Sequence, residues 1–536
     1  MDFQAVFYGL LRHCLLLGST FTILYSSTTF ISALSQIFQV PSLPESPRCR
    51  HFIIPQQVIA TYGHGNATKS TAGPDPEVRI QPATNFWVGK VCRIQPNVVI
   101  FNSPSAYRSI YGPTANARKA DIYKVWRQDM NKISTLTAVE KAEHGRKKKL
   151  LKSAFTDDAI RSAEAFVVQH VDSFCNILVA NSEAQQTTNM ADMADRLVFD
   201  IMCDLSFGKS FELKESASNP LLSVPHSIDT GAVFLSNIGR SPFLPVWLWL
   251  KTKGLNTILN KTRPAEFRLL FSLIRTNILR RIEEESQVDE KRNNGRKDMF
   301  HYLFHTQDSV TGVRAYSDAE LTIEAGLLLT TALGATATSV SAFLFYITRN
   351  QHAYKKLIEE IRNTFASADE IQGSAVLSSC RYLRACLDET LRMTPAQPGE
   401  GLRIVLKGGL EIEGHFTSEG VSSFGDPWVF RPERWIVDER NGVYATDVAR
   451  AQSAFFPFSI GPVSCVGQKL ARSIISVTVA KMLYQFDVVL PPGNRLGEGA
   501  ENLGWGRRDN NVFQVRDATF ALREGPMVQF MKRQAV

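Results

Sequence analysis

The sequence predicts a mainly α-helical protein with small β-sheets, carried behind one N-terminal transmembrane helix. Three observations lead there. Apolar residues recur at helical spacing through most of residues 104–395, as in "DDAIRSAEAFVVQHVDSFCNILV" from Asp157. After Pro395, glycine, proline and β-branched residues become frequent, and the closing "FQVRDATFALREGPMVQF" alternates as a hairpin does. Residues 14–40 contain no charged side chain and are long enough to cross a bilayer.

In chain order, residues 1–40 read as a membrane anchor. Arg12 and His13 stand near its start, and no small-residue cleavage site closes the run, which favours an uncleaved anchor over a signal peptide. Residues 41–90 read as a hinge and an irregular loop region. Pro41, Pro44 and Pro47 stiffen it, and Arg48 and Arg50 put positive charge on the side expected to face the cytosol. Residues 91–536 form the main domain. Within it Ser317 and Glu320 make a capping box that opens a helix running to about Arg349. Residues 325–347 of that helix are uncharged and could span a membrane by length. A helix buried through the middle of a large domain is the better reading, because Gly334 and the surrounding Ala and Thr suit close approach of something flat. "SPFLPVWLWLKTKG", residues 241–254, is apolar and aromatic, and reads equally as a core helix or as a surface that meets membrane and ligand.

With 536 residues, 44% hydrophobic and 21% charged, the chain can bury a large core. The net charge of +8 is not gathered into a nucleic-acid-binding face. Its densest basic run, "HGRKKKLLK" from His144, reads as a helix with one basic face suited to acidic partners or carboxylates. No nucleic acid is expected as a partner. The eight cysteines form no CxxC pair and no disulfide scaffold, so a reducing compartment and no cysteine-based zinc site are expected.

One cysteine stands apart. "FPFSIGPVSCVGQKLA" places Phe458, Gly461, Cys465 and Gly467 in the pattern F-x-x-G-x-x-x-C-x-G, running directly into a helix. A thiolate that ligates a metal needs backbone N–H groups turned toward its sulfur, and tight glycine turns supply them. A small buried apolar cysteine is the other reading of the loop alone. Two further motifs bear on it. "DETLR" puts Glu389 and Arg392 on one helix face, and "FRPERW" supplies Arg434, so that the three can form a buried charged triad bracing the loop.

Together these motifs resemble those of cytochromes P450, haem-thiolate monooxygenases, of the membrane-anchored fungal type akin to benzoate 4-hydroxylases and isotrichodermin hydroxylases. The likeness runs from about Gly89 to the C-terminus, including "STLTAVEKAEHGRKKKLLKSAF" and "LGEGAENLGWGRRDNNVFQV". It implies the P450 fold and haem b, with Cys465 as axial iron ligand on a loop shaped by Gly461 and Gly467. It implies His144, Lys148 and Arg403 near the haem propionates, and Phe458 shielding the sulfur. It also implies a small hydrophobic substrate from fungal secondary metabolism, electrons from NADPH through NADPH–cytochrome P450 reductase, and a lipid membrane, with the anchor in the endoplasmic reticulum and the catalytic body in the cytosol. Asn66 and Asn260 lie in sequons that a cytosolic body leaves unglycosylated.

The chain departs from the family pattern in three places. Gly334 and Ala335 stand where the family carries an acid and a threonine that relay protons, leaving Thr336 as the candidate catalytic hydroxyl, with Thr338 beyond it. Val463 replaces a basic residue two before the cysteine. The segment around residues 415–425 is shorter than the family's. These departures raise an alternative expectation: an oxygen-independent isomerase, dehydratase or peroxygenase on the same fold, or a non-catalytic member.

Overall fold

In the computed structural model the residues described are 51–53, 91–95, 98–101 and 103–533, less 217, 288–295, 309, 399–400, 408–409, 411, 413–425, 427–428 and 504–506. The anchor at 1–40, Asn66 and the short segment at 415–425 lie outside them.

The fold is organised by the uncharged helix in the middle of the chain. The helices include α1 (Pro104–Tyr111), α2 (Lys141–Leu151), α3 (Asp157–Glu183), α4 (Met190–Phe207), α5 (Val224–Arg240), α6 (Leu244–Leu250), α7 (Ala265–Gln287), α8 (Met299–Phe304), α9 (Asp318–Arg349), α10 (Gln351–Thr364), α11 (Arg381–Met393) and α12 (Gln468–Gln485), with further short helices between them, among them Ala445–Ser453. Helix α9 starts where the capping box sets it: the Ser317 hydroxyl oxygen accepts from Glu320 N–H (3.3 Å) while the Glu320 carboxylate accepts from Ser317 N–H (3.2 Å). Among the described residues α9 alone is long and apolar enough to cross a membrane. Yet every residue from Thr336 to Thr348 is buried, packed chiefly against α4 and also against α11, α12 and α7. Its lack of charge therefore reflects burial in protein.

The helix at Asp157 shows how pattern becomes core. Thr156 caps α3 by accepting from Ala159 N–H (3.2 Å). Ala159, Ala163, Val167, Val171, Phe174, Cys175 and Leu178 then form one buried stripe.

Three small sheets flank the helices. Strands β1 (His51–Ile53), β2 (Val91–Gln95), β3 (Val98–Phe101), β4 (Ala117–Lys119) and β6 (Arg403–Val405) make a five-stranded sheet in the order β2-β3-β1-β6-β4. Its β1 arises in a stretch expected to be loop. Strands β5 (Thr187–Asn189), β7 (Phe486–Val489) and β10 (Met527–Lys532) form a second sheet in the order β5-β10-β7. The tail closes as the hairpin β8 (Val515–Ala518) and β9 (Phe520–Arg523), turning on Thr519 at φ 75°, before β10 leaves to join the second sheet. Helix α6 divides its aromatic face: Trp247 is buried against Phe234, whereas Phe243 and Trp249 are more than half exposed.

Candidate functional site

The cysteine loop is held from three sides. Cys465 N–H donates to the Phe458 carbonyl (2.8 Å), closing the turn. Gly461 adopts φ 63°, and a Cβ there would run into the Tyr111 carbonyl oxygen and the Gly112 backbone, so only glycine fits. From α1, Tyr107 donates its hydroxyl to Ser459 (2.9 Å) and stacks between Tyr111 and Phe456, with ring centroids 4.4 and 4.8 Å away. Helix α12 begins at Gly467, whose absent Cβ would lie 3.3 Å from Phe155 and 3.9 Å from Cys465 Sγ. Phe458 lies beneath the Arg472 guanidinium (5.2 Å), and Arg472 pairs with Asp388 (2.7 Å) on α11.

The Cys465 side chain is exposed, yet burial among protein atoms pushes its thiol upward, opposed by the Gly467 N–H and by Lys148. The thiol is thus reachable from solvent and yet ringed by protein atoms. A second open surface runs along α9. Gly326, Leu327, Thr330, Thr331, Gly334 and Ala335 are half-buried at helical spacing, N-terminal to the fully buried stretch of α9. Gly334 faces the tail hairpin, a Cβ there lying 3.4 Å from Phe520 Cβ. Thr336 is turned into the core at 3% exposure, and Thr338 donates to the Ala521 carbonyl (3.0 Å). The hydroxyls on the half-open face are those of Thr330 and Thr331, which donate to Gly326 O (3.0 Å) and Leu327 O (2.7 Å) and keep their lone pairs free to accept. Sequence reasoning missed both.

His144, Lys148 and Arg403 gather with a fourth group, Lys119, which pairs in strand register with Arg403. All four are buried. Lys148 donates to the carbonyls on either side of Val463, Pro462 O at 2.7 Å and Ser464 O at 2.6 Å. Lys119 donates to Thr135 O (3.1 Å) and Leu136 O (2.9 Å). Arg403 donates to Gly401 O (3.1 Å) and lies over the Tyr111 ring (4.5 Å). Burial and mutual repulsion show in the titration of these groups. His144 is pushed down to about 3 by burial and then by Lys119, Lys148 and Arg403; Lys119 falls to about 7 by burial, Arg403 and Lys148. Lys148 falls to about 8, by burial and Lys152, against the pull of Cys465. Glu324 offsets part of this charge, its Oε1 accepting from Thr135 N–H (2.8 Å). Among the described residues no carboxylate forms an ion pair with Lys119, Lys148 or Arg403. Such a cluster calls for an anion.

The bracing triad is complete. Glu389 is fully buried and accepts from Arg392 Nε (2.9 Å), Arg434 Nε (3.0 Å), the Arg431 N–H (2.8 Å) and Trp435 Nε1 (3.0 Å). Burial would raise its carboxyl, but Arg392 and Arg434 hold it below the usual carboxylate range. The Arg431 and Trp435 donors were not legible in the motif.

These residues fit a haem. A sulfur ligand with an N–H donor suits iron, and the cations lacking carboxylate partners suit two propionates. The fold and site thus define a haem-thiolate type of protein. A family model for Cytochrome P450 matches residues 88–505, and the chain belongs to that family. It is 30% identical over 467 residues to "Cytochrome P450 monooxygenase fscF" of Fusarium equiseti, covering 83% of this chain and 85% of that one. It is 32% identical over 425 residues to "Cytochrome P450 monooxygenase traB" of Penicillium crustosum, covering 75% and 79%. A solved cytochrome P450, CYP102L1, superposes with a TM-score of 0.59 at 18% identity, over 81% of this chain and 92% of that one, and shares the fold. The chain is a fungal P450 monooxygenase, an oxidoreductase.

Proposed function

We propose that the protein inserts one oxygen atom into a small hydrophobic intermediate of fungal secondary metabolism, with Cys465 as the residue whose sulfur would hold the haem iron. The observation that carries this is the Cys465 thiol itself, reachable and turned toward the Gly467 N–H, on a backbone whose Cys465 N–H is held by the Phe458 carbonyl. When bound, haem supplies the iron chemistry that activates dioxygen. The rest falls to the chain. Cys465 provides a sulfur anion, which Gly467 N–H and Lys148 favour. Lys119, His144, Lys148 and Arg403 are the groups that would hold the propionates, and Lys148, lying across Val463, would supply the charge that residue lacks. Thr330 and Thr331 present hydroxyls on the half-open face of α9 and hold water there. Arg146, Lys149 and Lys152, the exposed cations of the basic run, suit an acidic reductase that delivers NADPH electrons. Residues 1–40 anchor the chain in the endoplasmic reticulum membrane, 41–90 link it, and 91–536 form the cytosolic catalytic domain, with Phe243 and Trp249 toward the lipid.

The test is the carbon-monoxide difference spectrum of the reduced protein. A band at about 450 nm that disappears in Cys465→Ser supports the assignment, and a band unchanged by that substitution overturns it. A second reading rests on Gly334, Ala335 and the inward turn of Thr336, which leave no acid–alcohol pair on the open face of α9. It is a P450 that isomerises or dehydrates its substrate, or uses peroxide, and it predicts turnover without NADPH.

A further inference from the structure

Away from the haem site, three metal-ligating side chains converge. Glu285 lies in the last turn of α7, and His301 and His305 stand one turn apart at α8. His301 Nδ1 is 2.8 Å and His305 Nε2 is 3.0 Å from the same oxygen, Glu285 Oε2. All three ligand atoms lie within 4.8 Å of one another. The carboxylate is fully buried, while the imidazoles keep 18% and 28% exposure, so solvent reaches them.

The surroundings fix this geometry. Arg281 donates to the other oxygen, Glu285 Oε1 (2.7 Å), so Oε2 is held toward the histidines. Asp298 caps α8 by accepting from His301 N–H (3.0 Å) and is itself gripped by Arg281 and Arg296. Arg296 also pairs with Asp204 (2.8 Å). Four carboxylates, Glu284, Glu285, Asp298 and Asp204, thus face three guanidiniums, Arg280, Arg281 and Arg296, and the excess charge is negative.

We propose that Glu285, His301 and His305 bind a divalent cation of the zinc class, with solvent completing a tetrahedral site. Two imidazoles and one carboxylate suit zinc rather than calcium or magnesium, which take all-oxygen shells. Zinc–ligand distances of about 2.0–2.2 Å place tetrahedral ligands about 3.3 Å apart. The two pairs that share Oε2, at 2.8 and 3.0 Å, need to open by only a few tenths of an ångström, as the metal replaces the two imidazole protons that Oε2 otherwise accepts, and the two imidazole nitrogens already lie within 4.8 Å of each other. The ion would lock the end of α7 to α8, a structural role separate from haem chemistry.

The test uses the untagged, haem-loaded full-length chain, stripped with chelator and dialysed against micromolar Zn2+. One zinc per chain by elemental analysis is expected, with a thermal midpoint that rises with Zn2+. His305→Ala and His301→Asn should each weaken retention more than about 100-fold and abolish that rise, while the haem spectrum, which reports folding, stays unchanged. Both histidines are partly exposed, so these variants should fold; if one loses its haem spectrum, His305→Gln replaces it in the same assay. Failure of the wild type to retain zinc overturns the proposal. So does equal retention by the histidine variants.

Discussion

Replacing Glu389 with alanine should unfold the protein more readily than any other single change at the triad. The wild-type carboxylate is fully buried and receives N–H donors from Arg392, Arg431, Arg434 and Trp435. Truncation leaves the Arg392 and Arg434 guanidiniums, 5% and 4% exposed, side by side without their shared anion. Breaking a buried pair by removing one partner costs about 3–5 kcal/mol; Arg434 keeps Asp426 as a counter-charge (3.1 Å), so the middle of that range applies. Glu389→Gln keeps the shape and some acceptors and should cost less, about 3 kcal/mol. Against a total stability of about 5–15 kcal/mol, the alanine variant should lose a large share of its folded population at physiological temperature. The assay is denaturant unfolding, followed by far-ultraviolet circular dichroism and by the haem absorption together. A loss below about 1 kcal/mol in Glu389→Ala would refute the claim that this ion cluster supports the loop region.

Further outcomes follow from the same geometry. Gly461→Ala, forced to hold φ 63° against the Tyr111 carbonyl, should lose about 1–3 kcal/mol and most of its haem, measured as haem per chain. Lys119 and Lys148 titrate near 7 and 8 in the fold against a usual value of 10.5. Between those values the unfolded chain binds more protons, so the haem-free protein should become more stable as pH rises from about 7 to 10. Haem propionates should abolish that gain, and denaturation midpoints across pH with and without haem check it. Gly334→Asp with Ala335→Thr should lower the peroxide released per NADPH consumed, most clearly when Phe520→Ala makes room beside residue 334; unchanged release counts against proton relay at these positions.

Local signals were legible where a short motif carries its own geometry. The Ser317–Glu320 capping box, the Glu389/Arg392 spacing and the glycines about Cys465 each express contacts within a turn or two of chain. What depends on tertiary placement was not. Lys119 joins Arg403 only through strand pairing, and nothing near Lys119 in the chain announces a cation cluster. Whether Thr336 or Ala335 faces the open side of α9 depends on how α4, α11 and α12 fix the rotation of that helix. The four-residue spacing of His301 and His305 is visible in sequence, but Glu285 reaches them only because α7 and α8 meet. Strand β1 went unread because three residues amid glycine and proline carry too short a pattern to stand out, and pairing with β3 and β6 makes the strand.

The contact between Phe520 and Gly334 joins two stretches far apart in the chain. A hairpin near the C-terminus overhangs the helix face where the family keeps its proton-handling residues, and it turns there on a single threonine. Small edits to the last few dozen codons can therefore change what packs on the half-buried face of α9 while leaving the cysteine loop alone. Exchange of this tail between related chains offers a direct route to new shape selectivity.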